Sequence, residues 1–177
     1  MKYLLLLFAL LVPTSAFSQH NHSMNEMRPV TLVPGLGDVH HPVSTASASA
    51  QSFFNQGLAY IYAFNHAEAV RSFKRAAELD PQLAMAYWGI ALALGSNYNL
   101  QADAPQFKEA YASMQKAPEL APKASAHERA YIEALSKRYS NDLQADARKL
   151  ALDYKEAMGR LVKRYPDDLD EASRTRP

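Results

Sequence analysis

The chain contains no cysteine, and this absence excludes several kinds of chemistry and of structural support. Without cysteine there is no disulfide, no thiol nucleophile and no residue for lipid attachment through a cysteine. HExxH, GxSxG and glycine-rich phosphate-loop motifs are also missing from the sequence. We therefore predict a protein that is not an enzyme and that requires no cofactor.

An excess of charge of one sign is missing as well. The 177 residues include 19 basic and 18 acidic side chains, which give a formal net charge of +1. Neither end carries a block of like charge, whereas nucleic-acid binding proteins usually present a basic patch. No nucleic-acid partner is therefore expected.

Residues 1–18 have the organisation of a secretory signal peptide. Lys2 precedes the apolar run LLLLFALLV, and small residues follow it, with cleavage after either Ala16 or Ser18. This run is shorter than the roughly 20 residues that cross a bilayer. We expect an exported bacterial protein, periplasmic or secreted, that is not inserted in the membrane after cleavage.

Residues 19–47 are rich in proline, glycine and histidine and have no helical period, so they predict an extended arm. Val30, Leu32 and Leu36 are apolar enough for the arm to lie along a groove between helices.

The beginning of the arm also suggests an alternative function. Imidazole and thioether groups together suit copper, and four such residues lie close to the predicted mature N-terminus. They are His20, His22, Met24 and Met27. The alternative function is metal binding or handling by this segment in the periplasm. It competes with the interpretation that the tail holds no metal.

The segment from Ala50 to Pro81 predicts a hairpin of two amphipathic helices, over about residues 48–63 and 66–79. Gly57 allows the two backbones to approach closely, and Phe73 fills the remaining space. Asn65 is suited to cap the second helix. Asp80 is expected to cap a third helix that starts at Pro81 and stops at Gly95.

The spacing of seven aromatic, small and proline residues in this hairpin resembles the tetratricopeptide repeat, a unit of about 34 residues. The matching residues are Phe53, Gly57, Tyr60, Ala69, Phe73, Ala76 and Pro81. Two positions depart from the pattern, because Gln56 replaces the usual leucine and Phe64 replaces a glycine of the turn.

The spacing of the last four of these residues recurs twice further along the chain. It recurs at Ala110, Met114, Ala117 and Pro122, and again at Tyr154, Met158, Leu161 and Pro166. Three more helices are predicted: Asp103 to Ala117, where Pro118 ends the helix; Ser125 to about Tyr139, with Ser125 and Glu128 as a capping box; and 142–164.

The resemblance therefore implies an all-α fold, a stack of about three antiparallel helical hairpins over residues 48–166. A polar tail, residues 167–177, follows them. No further helix is predicted to cover the last hairpin, so we expect a short or truncated member of the family. The alternative is that the long polar face of helix 142–164 is itself the cap. An uncovered hairpin also favours pairing with a second chain.

The resemblance further implies a non-catalytic scaffold that binds a protein or peptide in the groove lined by the first helix of each hairpin. The inward positions start at Gln51 and are mostly apolar or aromatic, and Asn97 lies in the loop after Gly95. The predicted groove residues are Phe54, Leu58, Ile61, Tyr62, Met85, Trp88, Leu92 and Asn97. Such a groove suits an apolar peptide, a partner helix or the protein's own arm. The alternative is that the aromatic side chains pack against a neighbouring helix.

Overall fold

A computed structural model describes residues 29–96, 102–142 and 144–166. Every regular element in this part of the chain is helical, which confirms the all-α prediction. The helices are α1 (Ala48–Tyr62), α2 (His66–Leu79), α3 (Ala84–Leu94), α4 (Ala104–Leu120), α5 (Ala126–Ser136) and α6 (Ala147–Arg164), with a 3-10 turn at Ala121–Lys123. The predicted signal peptide and the polar tail lie outside the described residues.

Side-chain caps fix where several helices begin. The Ser47 hydroxyl accepts a hydrogen bond of 3.1 Å from the Ala50 N–H at the start of α1. The Asn65 Oδ1 accepts one of 3.3 Å from the Glu68 N–H at the start of α2. Ser125 and Glu128 form the predicted capping box at the start of α5. These bonds satisfy backbone donors that have no partner within the helix, so local sequence determines the boundary.

Asp80 does not cap α3, contrary to the prediction. Leu83 occupies the N-cap position, and no side chain bonds to the first turn of α3. Asp80 instead ends α2, and its carboxylate accepts a 3.0 Å hydrogen bond from the Gln82 N–H within the intervening turn. The turn places Leu83 in the core at 1% exposure, and burial of this side chain stabilises a later helix start.

Pro118 does not end α4, which continues to Leu120. A proline inside a helix removes a single backbone hydrogen bond. The Ala121 N–H still donates to the Ala117 carbonyl, and the extra turn buries Leu120.

The last two helices are shorter than predicted, because α5 ends at Ser136 and α6 begins after the cap Asp146.

Phe73 of α2 lies at the centre of the core and is fully buried. Its ring fits between Gly57 of α1 and Gly89 of α3, where an added Cβ would come within 2.5 Å of ring carbons in both cases. The predicted close approach at Gly57 is therefore confirmed, and Gly89 is its unpredicted counterpart. Each helix packs on the next one in the chain, and α3 also contacts α1 and α5.

Candidate functional site

The described part of the predicted arm is residues 29–47, and it alone is called the arm from here on. It folds back along α1 and then reaches the start of α5. Among these residues there is no helix or strand, so their backbone groups need partners elsewhere. Polar side chains of α1, α5 and the end of α2 supply many of these partners. The geometry of these contacts defines the candidate site.

Gln56 holds the first part of the arm by its main chain. Its Oε1 accepts a 2.8 Å hydrogen bond from the Val33 N–H, and its Nε2 donates a 3.1 Å bond to the Thr31 carbonyl. The same Nε2 also donates to the Ser72 hydroxyl at 3.1 Å. One carboxamide thus pairs with a carbonyl and with the N–H two residues later, as a neighbouring strand would.

Gln51 repeats this arrangement further along the arm. Its Nε2 donates to the His41 carbonyl at 2.8 Å, and its Oε1 accepts from the Val43 N–H at 2.9 Å. Asn55 accepts a 3.2 Å bond from the His41 N–H and a 2.9 Å bond from Gln51. These three amide side chains therefore form a row on α1 that bonds an extended backbone.

Two carboxylates bind the end of the arm. The Glu128 carboxylate accepts a 2.7 Å hydrogen bond from the Ser44 N–H and a second bond from the Ser44 hydroxyl. The Asp80 carboxylate accepts a 2.6 Å bond from the Thr45 hydroxyl. Since Asp80 ends α2 and Glu128 lies in the first turn of α5, the arm connects three helices.

Glu128 is 2% exposed, and burial alone raises the pKa of its carboxyl. Hydrogen bonds from the hydroxyl and N–H of Ser44 and from Ser125 act in the opposite direction. Their combined effect is larger, so the pKa lies below the ordinary glutamate value. The site therefore presents a buried negative charge to the arm at neutral pH.

The ring of His41 enters an aromatic cluster between α1 and α5. Its centroid lies 6.1 Å from that of Phe54, 6.1 Å from that of His127 and 5.8 Å from that of Tyr131. The ring of Tyr165, just after α6, packs edge-on against the His127 ring, and the two centroids are 4.6 Å apart. The arm thus contributes one side chain to the packing between the first and last helix pairs.

The middle of the arm is less closely packed. Gly35 and Gly37 adopt positive φ angles of 83° and 85°, which let the chain turn away from α1. A cavity of about 280 Å³ remains there between the arm and the Asn55–Ala59 side of α1. The arm is consequently held at its two ends, by Gln56 at one and by Gln51, Asp80 and Glu128 at the other.

Most of the predicted groove residues lie inside the protein. Phe54 and Met85 are at most 1% exposed, Leu58 is buried, and Ile61 and Leu92 are half-buried. The Trp88 Nε1 donates to the Tyr131 carbonyl of α5 at 3.2 Å. Peptide contact with Phe54 or Trp88 therefore requires displacement of the His41 ring of the arm or of α5. Tyr62 is open at 45% exposure, and Asn97 lies outside the described residues.

The structure adds residues to the candidate site that the sequence did not indicate as binding residues. Gln56 appeared only as a departure from the repeat pattern, and Asn55, Asp80 and Glu128 were not predicted to bind anything. One signal was present, namely a glutamine at a position where the repeat expects a buried leucine. A buried amide must find hydrogen-bond partners, and here the arm and Ser72 supply them.

The copper hypothesis stays a prediction, because His20, His22, Met24 and Met27 lie outside the described residues. Within the part that is described, no three histidine or acidic side chains come together as a metal site. The described helices also include none with the length and apolar character needed to cross a membrane.

Comparison with profiles of known protein families, with curated proteins and with solved structures gave no match. The tetratricopeptide assignment accordingly rests on the sequence spacing given above.

Proposed function

We propose that the protein is an exported, non-catalytic scaffold of tetratricopeptide type that binds an extended segment of a partner polypeptide. The order of helix contacts supports a stack of three hairpins, because neighbours in sequence pack together and α3 contacts both α1 and α5. Export is supported by the signal-peptide pattern of residues 1–18.

One observation carries the proposal: the helices already hold an extended peptide, which is the arm. Gln51 and Gln56 each bond a carbonyl and the N–H two residues later. These bonds depend on the backbone and not on the identity of the side chains, so the same row can hold another extended chain. Recognition by main-chain pairing is an established way in which proteins bind peptides.

The buried aromatic side chains support the surface that holds the arm. The Phe54 ring packs against Phe73 with centroids 5.4 Å apart and against the His41 ring with centroids 6.1 Å apart. Close packing limits the rotamers of such side chains. The amide row therefore stands on a rigid helix, which lowers the entropy cost of binding.

A selection from a random peptide library tests this function, with the chain from residue 19 onwards as the target. Selected peptides should displace the arm and so increase the hydrogen exchange of the Val33, His41 and Val43 N–H groups, which the amide side chains of α1 bond in the free protein. The double substitution Gln51→Ala and Gln56→Ala should weaken their binding by at least tenfold, because each peptide loses up to four hydrogen bonds.

Gln115→Ala is the matched control, since Gln115 is an exposed glutamine on α4. It should leave binding and the circular dichroism spectrum unchanged. The proposal is wrong if the selected peptides bind the double variant as well as the unaltered chain, or if they leave the hydrogen exchange of the Val33, His41 and Val43 N–H groups unchanged.

A further inference from the structure

Residues 41–45, His-Pro-Val-Ser-Thr, contact the helices through side chains as well as through the backbone. We propose that the site is selective for a partner segment of the form ring–Pro–x–Ser–Thr, which displaces the arm. This inference rests on the proposed function and narrows it to one class of ligand.

The second position suits proline. Gln51 bonds the carbonyl of His41 and the N–H of Val43, and so uses no N–H from the residue between them. Proline has no N–H to leave unsatisfied there. It also restricts the preceding residue to extended conformations, which is the backbone state that the amide row bonds.

The first position suits a planar ring. The His41 ring is bordered by Phe54 and Tyr131 in tilted and edge-on arrangements and by His127 in a stacked one. Aromatic pairs at such separations contribute beyond their buried area. An aliphatic side chain would lose these ring contacts.

The fourth position suits a hydroxyl that donates and accepts at the same time. The Ser44 hydroxyl donates to the Glu128 carboxylate and accepts a 3.3 Å hydrogen bond from the Ser125 N–H. Alanine can make neither bond. An acidic side chain would bring a second negative charge against Glu128, which is unfavourable in a buried site.

The fifth position is selected by a second carboxylate. The Thr45 hydroxyl donates to Asp80 at 2.6 Å, and the same hydroxyl accepts a 3.1 Å bond from the Ser47 N–H. Hydrogen bonds to charged groups are stronger than bonds between neutral groups. Two adjacent hydroxyls facing two carboxylates therefore give this end of the site most of its selectivity.

The arm competes with any partner because it is part of the same chain and joins directly to α1. A short tether gives an effective concentration on the order of millimolar. A partner segment must bind more tightly than the arm, or be presented at a high local concentration. The occupied state seen here is then the resting state of the site.

The test uses an opened chain, which is the full chain carrying Val43→Pro, Ser44→Ala and Thr45→Ala. These changes remove the arm's N–H to Gln51 and its two hydroxyl donors, and they leave every helix side chain in place. The probe is a fluorescent peptide with the sequence of residues 37–47. It should bind the opened chain at least tenfold more tightly than the unaltered chain.

Selectivity is measured with two altered peptides. Ser44→Ala in the peptide should weaken binding to the opened chain by about tenfold, and Thr45→Ala by a similar factor. Adding Glu128→Gln to the opened chain should reduce the preference for serine to a few-fold, because the charged acceptor is gone. Glu133→Gln is the matched control, since Glu133 is exposed on the same helix.

The proposal is overturned if the serine and alanine peptides bind equally. It is also overturned if no peptide binds while hydrogen exchange shows that the His41 N–H of the opened chain is released. If the unaltered chain forms dimers that the peptide dissociates, the occupant of the site is a second copy of this chain. The proposal of a separate partner is then overturned. If the library yields groove-binding peptides without the pattern, the scaffold function stands and only this selectivity fails.

Discussion

The first and last helix pairs are built from similar spacings of apolar residues, yet they differ in how well they are packed. In α1 and α2, Phe54, Ala69, Phe73 and Ala76 are completely buried. In α6 only Ala157 and Leu161 are buried, whereas Leu152 and Val162 remain 50% and 46% exposed. Local opening is expected where buried apolar contacts are few. The arm is thus anchored mainly on the well-packed pair and only through Glu128 and the His41 cluster on the other.

The difference arises because a helix needs a neighbour on each side to use its apolar stripe. Phe73 is enclosed by α1 on one side and α3 on the other. Among the described residues, Leu161 belongs to a small separate cluster with Ala157 and Ala134, which α5 and α6 contribute. Equal spacing in the sequence therefore gives unequal burial in the first and the last helix pair.

The largest predicted effect is that of Phe73→Ala. Removing a fully buried phenylalanine costs roughly 3–5 kcal/mol of unfolding free energy, because it leaves a cavity between three helices. Leu161→Ala should cost less, about 2 kcal/mol, since the thin outer pair can relax around the gap. Urea denaturation followed by circular dichroism gives both values. Equal losses would mean that the two pairs are equally packed and would remove the contrast.

A smaller and sharper test exchanges two glycines for alanine. Gly57→Ala places a methyl group against the Phe73 ring and should destabilise by about 1–3 kcal/mol. Gly159→Ala in α6 meets nothing within 4 Å and should stabilise the helix by roughly 0.5–1 kcal/mol. Opposite signs in the same denaturation assay are expected. A stabilising effect at both positions would contradict the close approach of α1 to α2.

The parts of the fold that depend on neighbouring residues were predictable from the sequence. Asn65 and Ser125 start helices because their own side chains reach backbone donors three residues away. The end of α4 was not predictable in this way. The cost of Pro118 is local, but the burial of Leu120 that offsets it depends on helices distant in the sequence.

The candidate site was predictable in outline only. Proline and glycine content indicated an extended arm, and its apolar residues suggested that it lies along a groove. The contact from Ser44 to Glu128 spans 84 positions, and no local pattern identifies such a pair. Glu128 already had a role as a capping residue, so its second role in binding the arm became visible only in three dimensions.

The smallest predicted effect is a weakening of arm binding at acidic pH. It acts on the contact through which the arm links the two helix pairs. The pKa of Glu128 is lowered while Ser44 and Ser125 donate to it, so its contribution to arm binding is complete above the pKa of a free glutamate. That contribution declines as the pH falls through the lowered value. After correction for the intrinsic exchange rate, protection of the Ser44 N–H should be constant from pH 7 to about pH 5 and decrease below that.

Glu128→Gln is the control for this measurement, because a glutamine keeps the capping box but does not titrate. The variant should show weaker protection of Ser44 at neutral pH and little change on acidification. Amides in the core of α2 should stay protected in both proteins over the same range, since the effect is confined to the arm. If protection of Ser44 increases in acid, the arm binds the protonated carboxyl, and the charged recognition of its hydroxyl groups is wrong.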